Sequence, residues 1–242
     1  MYKKEYENFI FRYRGQIPVI ALCLFLCISF LFEMPIAPNN VLAVRITAII
    51  LIGIGFLYRC FTVGFAALHT SGRNRNMQVA HDLNTLGAYS IAQHPLYFAN
   101  SILWVSIGLI SNQWGLFFGG ICLSWFVYRP LIRRETQFLS QTFGTKYKEW
   151  IKHTPLFWPN PFLFKKPNTP FDWWRLFATE YPTWISILTG ILTSLLFSNA
   201  IQEDALEWRG AYSVLVLTSI LIGILGRFFK YVVVRKWLKK SI

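Results

Sequence analysis

The sequence predicts an all-α integral membrane protein, a polytopic bundle of about six transmembrane helices. Hydrophobic residues make up 54% of the chain and charged residues only 14%, whereas soluble domains carry roughly 25% charged residues. The apolar residues also gather into long stretches, and a helix needs about 20 mostly apolar residues to cross a bilayer. Composition and stretch length therefore indicate the same fold class.

Four apolar stretches are long enough to cross a membrane, and a fifth region predicts two more helices. The four stretches are residues 17–36, 46–68, 183–201 and 211–229. The fifth region, 96–132, is apolar except for a polar break at 111–113, which predicts two helices joined by a tight turn. A basic segment precedes the first stretch, but no small-residue cleavage site follows it, so we expect a permanent anchor rather than a secretory signal.

The positions of lysine and arginine predict which side of the membrane each loop faces, because these residues mark cytoplasmic loops. If the N-terminus is cytoplasmic, the inner segments hold nearly all basic residues and the outer turns almost none. The last outer turn, 202–209, instead carries three acidic residues. We therefore expect both termini to be cytoplasmic.

The net charge of +13 lies in these inner loops, where anionic lipid head groups attract lysine and arginine by about 1 kcal/mol each. No motif typical of nucleic-acid-binding proteins accompanies the charge, so we expect a membrane and not a nucleic acid as partner. The cysteines lack the spacing of zinc ligands or of a disulfide framework, and we expect no metal site. They are Cys23, Cys27, Cys60 and Cys122.

Three blocks divide the chain. Residues 1–68 form an N-terminal helix pair, residues 69–159 a middle block, and residues 160–242 an aromatic-rich connector followed by a C-terminal helix pair. Nearly all polar residues that are more than loop filler lie in the middle block. We therefore expect the functional site there.

His94 is the first candidate site residue. Pro95 suits the first turn of a helix, where its missing N–H would be unpaired anyway, so His94 is expected at the N-cap, on the cytoplasmic edge of the third span. The positive end of the helix dipole favours a neutral imidazole there. Tyr97 follows on the same helix face, with Asn100 nearby. The alternative is that His94 and Tyr97 are interfacial anchors of this span.

Glu135 is the second candidate, just past the fourth span and next to Arg133 and Arg134. Since a tight hairpin returns the fourth span beside the start of the third, we expect Glu135 to lie near His94. Arginine, glutamate, histidine and tyrosine together supply the groups that S-adenosylmethionine requires for its carboxylate, ammonium, sulfonium and adenine. The alternative is a solvated helix end that contacts lipid phosphates.

Three motifs of the middle block extend this interpretation. They read LGAYSIAQHPLY at 86–97, ETQFL at 135–139 and FGTKY at 143–147. Together they resemble the membrane methyltransferases that include isoprenylcysteine carboxyl methyltransferase and the phospholipid methyltransferases. That family's pattern is G-x-Y, R-H-P-x-Y-x-G, E-E-x-x-L and F-G-x-x-Y. The resemblance covers about residues 83–159.

The resemblance implies an enzyme that transfers a methyl group from S-adenosylmethionine to a lipid head group at the cytoplasmic leaflet. The segments TSGRN at 70–74 and LNT at 83–85 also resemble a bacterial branch of the family, which implies a bacterial inner membrane. His94 is then a catalytic and cofactor-binding residue, and Arg73 a catalytic residue that meets a phosphorylated head group, unless Arg73 is an ordinary loop charge. The remaining implied cofactor-binding residues are Tyr89, Tyr97, Asn100, Arg133, Arg134 and Glu135.

Three positions depart from the family pattern. Gln93 stands where the family has arginine, Ala99 where it has glycine, and Thr136 where it has the second glutamate. These departures leave open a non-catalytic member that binds a lipid or a protein partner. A second alternative is an NADPH-dependent membrane reductase of the sterol-reductase type.

Overall fold

The computed structural model describes residues 2–32, 39–66, 80–203 and 210–229 of the chain. These residues are almost entirely helical and include no strand, which confirms the prediction of an all-α membrane protein. The helices are α1 (Tyr2–Tyr13), α2 (Ile17–Phe32), α3 (Val41–Gly64), α4 (Ala88–Ile91), α5 (Pro95–Ile110), α6 (Trp114–Leu123), α7 (Arg129–His153), α8 (Trp173–Glu203) and α9 (Ala211–Phe229).

Four helices are long and apolar enough to span a bilayer: Val41–Gly64, Trp114–His153, Trp173–Ala200 and Ala211–Phe228. The second of these includes both α6 and α7, because a π-helical turn at Ser124–Tyr128 joins them. Helices α1 and α2 pass the same test together, as a pair bent by 84°. The described chain therefore has four to five helices or helix pairs that can span a bilayer, and the remaining predicted span corresponds to α5, which is shorter than the others. With 16 residues, α5 is only about 24 Å long.

The predicted hairpin between α5 and α6 is confirmed, and its turn lies inside the bundle. Ser111 is fully buried, and its carbonyl accepts a hydrogen bond of 2.9 Å from the Ser198 hydroxyl on α8. Gly108 lets the two arms approach closely, since a Cβ there would lie 2.3 Å from the Phe117 backbone nitrogen. The polar break at 111–113 is thus a packed turn and not a solvated loop.

Helix α1 packs across the start of α7, which the sequence did not predict. Its buried residues Ile10 and Phe11 form a core cluster with Val127 and Leu131. The Tyr6 hydroxyl donates a hydrogen bond of 3.0 Å to the Phe126 carbonyl. The basic segment before the first span is therefore a helix that lies against the site described below.

The connector after α7 runs back along the loop that precedes α5. The Gln93 N–H donates to the Pro155 carbonyl at 2.8 Å, and the Gly87 N–H donates to the Lys165 carbonyl at 2.9 Å. Further along, the Asp172 N–H donates to the Gly64 carbonyl at 2.9 Å. The first two bonds join the segment 86–94 to the connector, and the third joins the residue before α8 to the end of α3. We call this end of the bundle, where α5 begins, the His94 end.

The C-terminal part of the connector is helical, so α8 begins earlier than the apolar stretch that predicts it. Helix α8 begins at Trp173, ten residues before the predicted span at 183, and continues through Pro182. The Asp172 carboxylate caps it by accepting from the Arg175 N–H at 2.8 Å. The additional helical turns bring Glu180 into the bundle.

Candidate functional site

His94 occupies the N-cap of α5 with Pro95 at the first helical position, as predicted. Its carbonyl accepts from the Phe98 N–H at 3.2 Å. The ring is enclosed by protein, with 3% of the residue exposed, whereas an interfacial anchor would face lipid and water. The local sequence therefore places the imidazole inside the protein, pointing toward α7.

Glu135 and Thr136 meet the two nitrogens of the His94 ring. Nδ1 of His94 lies 3.4 Å from Oε2 of Glu135, and Nε2 lies 3.5 Å from Oγ1 of Thr136. The convergence of His94 and Glu135 expected from the hairpin is thus present in the structure. A neutral ring in this setting carries its proton on Nδ1, facing the carboxylate, and leaves Nε2 as the acceptor. The Glu135 side chain is still 34% exposed.

Tyr97 lies one helical turn from His94, and their ring centroids are 5.8 Å apart. Its phenol also interacts with the Glu135 carboxylate. On its other side Tyr97 stacks on Tyr128, at 5.3 Å between centroids. The Tyr128 hydroxyl in turn accepts from the Trp104 indole N–H at 3.0 Å. An aromatic wall therefore extends from the site into the bundle.

Tyr147 closes the opposite side of the site, and we did not single it out from the sequence, although it ends the FGTKY motif. It is 1% exposed, and its buried hydroxyl makes no hydrogen bond. That hydroxyl faces Thr136 and Glu135. Gly144 sets this geometry, because its φ of 49° breaks α7 at a conformation that few other residues adopt.

Tyr89 supports the site from the loop before α5. Its carbonyl accepts from the Trp150 indole N–H at 3.2 Å, which links this loop to the end of α7. Burial, and secondly the Glu135 carboxylate, raise the pKa of Tyr89 above its ordinary value. The phenol therefore stays protonated and available as a hydrogen-bond donor at neutral pH.

Asn100 belongs to a second cluster, deeper in the bundle. Its side-chain oxygen accepts from Nη1 of Arg59 on α3, and the same guanidinium forms two hydrogen bonds with Glu180 on α8. Neither Arg59 nor Glu180 was a candidate from the sequence. An arginine inside the apolar stretch 46–68 was the available signal, because charged residues are rare in spans unless they are paired.

The structure describes two of the three predicted arginines, and one of them, Arg134, contacts α1. Arg134 donates from Nη1 to the Asn8 side chain, and its Cζ lies 4.0 Å from the centre of the Phe11 ring. Arg133 lies half-buried on α7, and Arg73 lies outside the described residues. The charge of Arg14 also acts on the Glu135 carboxylate, after the larger effect of His94. Arg14 was not a candidate from the sequence, because it lies more than 100 residues away from Glu135.

The departures from the family pattern each have a structural role. The Gln93 amide nitrogen donates to the Thr154 carbonyl at 2.6 Å and so fixes the end of α7 to the loop. Ala99 is fully buried where α5 approaches Gly55 of α3. Thr136 puts a hydroxyl opposite Nε2 of His94.

Within the described parts of the chain, no three His, Cys, Asp or Glu side chains gather into a metal site. The four cysteines are free thiols. The polar groups that do converge are an imidazole, a carboxylate, phenols and a hydroxyl. This set can bind a polar, charged small molecule and can move a proton at Nε2 of His94.

No family model and no solved structure matches the chain. Over 110 residues the chain is 31% identical to the cobalt-zinc-cadmium resistance protein CzcN of Cupriavidus metallidurans. This match covers 45% of this chain and 48% of CzcN. The chain is 32% identical over 110 residues to the nickel-cobalt-cadmium resistance protein NccN of Alcaligenes xylosoxydans xylosoxydans, covering 45% of this chain and 49% of that protein. The chain spans about half the length of these curated relatives. It is thus similar, over less than half of its own length, to two proteins named for resistance to cobalt and cadmium.

Proposed function

We propose that the protein is an integral membrane methyltransferase that uses S-adenosylmethionine to methylate a lipid head group at the cytoplasmic face. The observation that carries this proposal is the meeting of His94, Tyr97 and Glu135, from two arms of one hairpin, at 3.4 Å between the imidazole and the carboxylate. The motifs that contain these residues are the ones that resemble membrane methyltransferases. The buried polar contact and the motif resemblance therefore support the same site.

The residues present suit S-adenosylmethionine. The partly open Glu135 carboxylate can accept from its ammonium group, and Arg14, whose charge acts on Glu135, is a candidate cation for its carboxylate. The Tyr147 hydroxyl is a buried donor without a partner, and buried polar groups are normally satisfied. When bound, this cofactor supplies an electrophilic methyl group on a sulfonium.

His94 has two uses, depending on the acceptor. Because Glu135 faces Nδ1, the neutral ring can take a proton at Nε2 from an amine acceptor, as a general base. A phosphate or carboxylate acceptor is already ionised at neutral pH and needs no base. In that case the side chains of the site act mainly by positioning, with effective molarity as the main contribution.

The surface beside the site suits an acceptor that arrives from a membrane. The connector exposes large aromatic side chains, among them Phe162 at 97% and Trp158 at 74%. Lys165 and Lys166 are exposed between these aromatics and α8. Aromatic and basic side chains are typical of the membrane interface, so a lipid can reach the site laterally.

The names of the two relatives suggest a role in metal tolerance. Methylation of a lipid phosphate or carboxylate to an ester removes one negative charge from the membrane surface. A less negative surface attracts fewer cations. We therefore favour an anionic acceptor, because a protonated amine loses one proton for each methyl group that it gains and so keeps its net charge.

The test is cofactor binding by the purified protein in detergent, comparing the parent with His94→Ala and Glu135→Ala. We expect both substitutions to weaken S-adenosylmethionine binding, while Lys152→Ala, in the exposed last turn of α7, leaves it unchanged. Parental binding that neither substitution alters would overturn the site. A folded parent that binds only NADPH would select the reductase, and one that binds neither cofactor would select the non-catalytic member.

Lipid mass spectrometry identifies the acceptor. Lipids from cells with and without the protein are compared, and we expect one lipid class to lose a single methylene unit when the protein is absent. If cells that produce the folded protein have the same lipid profile as cells without it, the result would contradict methylation of a lipid.

A further inference from the structure

Arg59 and Glu180 form a buried ion pair that joins two membrane helices. Nε of Arg59 lies 2.7 Å from Oε2 of Glu180, and Nη2 lies 2.8 Å from Oε1. Arg59 is 7% exposed and Glu180 1%. This fork geometry uses two of the three guanidinium nitrogens on one carboxylate. The third, Nη1, donates to the Asn100 oxygen.

The three residues lie at one depth in the bundle. Arg59 comes five residues before the end of α3 at Gly64, Asn100 five residues after the start of α5, and Glu180 seven after the start of α8. At 1.5 Å per residue, each lies about 8–11 Å from its helix end. Charged groups at such a depth are costly in a bilayer and are usually paired and functional.

Asn100 connects this pair to the His94 site. The Tyr128 hydroxyl interacts with the Asn100 side chain, and the Tyr128 ring stacks on Tyr97 at 5.3 Å. Tyr97 in turn lies beside His94 at 5.8 Å and interacts with the Glu135 carboxylate. An unbroken series of contacts therefore leads from α8 to the site.

We propose that Arg59 and Glu180 are positioning residues that, through Asn100 and Tyr128, hold Tyr97 in place against His94 and Glu135. The assignment of a reaction to that site rests on the function proposed above, but the positioning does not. Apolar residues could hold α3 against α8 equally well. Only the planar arginine fork reaches Glu180 and Asn100 together, so the pair matters for Asn100 as well as for packing.

The test replaces both charges at once, as Arg59→Met with Glu180→Leu, so that no charge is left unpaired in the bundle. The matched control is Lys152→Met with Glu149→Leu, which removes an exposed ion pair of 2.6 Å. The first readout is the NMR spectrum of protein labelled with carbon-13 at histidine Cε1. The chain has four histidines, and the His94 signal is assigned by its loss in His94→Gln.

We expect the Arg59/Glu180 variant to shift or broaden the His94 signal and to leave the His153 signal unchanged. We expect the control variant to leave the His94 signal unchanged. The second readout is S-adenosylmethionine affinity, which we expect to fall about tenfold or more, because small displacements of site groups are costly. A His94 signal identical to the parent's, in a variant with the parent's thermal stability, would overturn the proposal.

Arg59→Lys keeps the test decisive if the double variant does not fold. Lysine keeps the charge beside Glu180 but cannot also reach Asn100, so the His94 signal is expected to move in a folded protein, and an unmoved signal overturns the positioning. The two proposals fail separately. If the parent binds no cofactor but the His94 signal moves in the variant, methyl transfer fails and the positioning stands. If the parent binds S-adenosylmethionine and the variant changes neither the His94 signal nor the affinity, the positioning fails and methyl transfer stands.

Discussion

The His94 end of the bundle contains two acid–base pairs that are built in opposite ways. In the first, His94 and Glu135 are 3.4 Å apart at a single contact, and a third of the glutamate side chain is exposed. In the second, Arg59 and Glu180 share two hydrogen bonds of 2.7 and 2.8 Å, and the glutamate is buried. A loose, partly open carboxylate can take a ligand, whereas a closed one has no free position. We call His94–Glu135 the open pair, which is suited to binding, and Arg59–Glu180 the closed pair, which is suited to holding helices together.

We expect the largest effect from a substitution that removes one partner of the closed pair. Glu180→Leu leaves the Arg59 charge buried without its partner, and such a loss costs about 3–5 kcal/mol. We expect the free energy of unfolding in detergent to fall by that amount, measured by a denaturant or thermal transition. Lys152→Met, in an exposed pair, should stay within about 1 kcal/mol of the parent. Equal effects of the two substitutions would contradict the contrast.

Breaking the open pair should act on binding more than on folding. Glu135→Gln keeps the shape of the side chain but removes its charge. Since a hydrogen bond to a charged group contributes about 1.5–3 kcal/mol, we expect S-adenosylmethionine affinity to fall roughly tenfold to a hundredfold, with little change in unfolding. Isothermal titration and a thermal transition on the same preparation measure both. A large loss of stability with unchanged affinity would place Glu135 with the closed pair.

Thr136 sharpens the description of the open pair. Thr136→Val keeps the volume but removes the hydroxyl opposite Nε2 of His94. Loss of one neutral hydrogen bond costs about 1 kcal/mol, so we expect a small fall in the free energy of unfolding and a shifted His94 signal in the carbon-13 spectrum. An unchanged His94 signal would show that the contact of 3.5 Å is not made in solution.

The smallest expected effect concerns Tyr147. Tyr147→Phe removes a buried hydroxyl that has no partner in the structure, so folding should be unaffected or slightly improved, by up to about 1 kcal/mol. Cofactor affinity should fall, because this buried hydroxyl can donate a hydrogen bond to the cofactor. A decrease in stability with parental affinity would instead identify an internal hydrogen bond.

The sequence predicted the open pair but not the closed pair, because only the open pair is indicated by short-range sequence signals. Pro95 fixes the start of α5, and with it the cap at His94, and the polar break at 111–113 fixes the return of α6 and α7 that brings Glu135 close. These are short-range signals. Glu180, however, was assigned to the connector, because hydropathy starts the span at residue 183 whereas α8 starts at Trp173. Without the partner, Arg59 was only an isolated charge in an apolar stretch.

Other parts of the site depend on contacts that short-range patterns do not encode. Helix α1 and Arg14 reach the site from the opposite end of the sequence, through the packing of Phe11 on Val127 and Leu131. Tyr147 turns into the site only because Gly144 interrupts α7 at a positive φ. The FGTKY motif contains this tyrosine but does not indicate that its hydroxyl is buried.

The central claim is that the open pair serves methyl transfer to a lipid, and one measurement tests it most directly. Purified parent and Glu135→Gln proteins are placed in vesicles of bacterial membrane lipid with S-adenosylmethionine carrying a tritiated methyl group, and tritium is counted in the extracted lipid. We predict labelled lipid from the parent and only background label from the variant, both proteins being folded. No label from the folded parent, or equal label from both proteins, would contradict the claim.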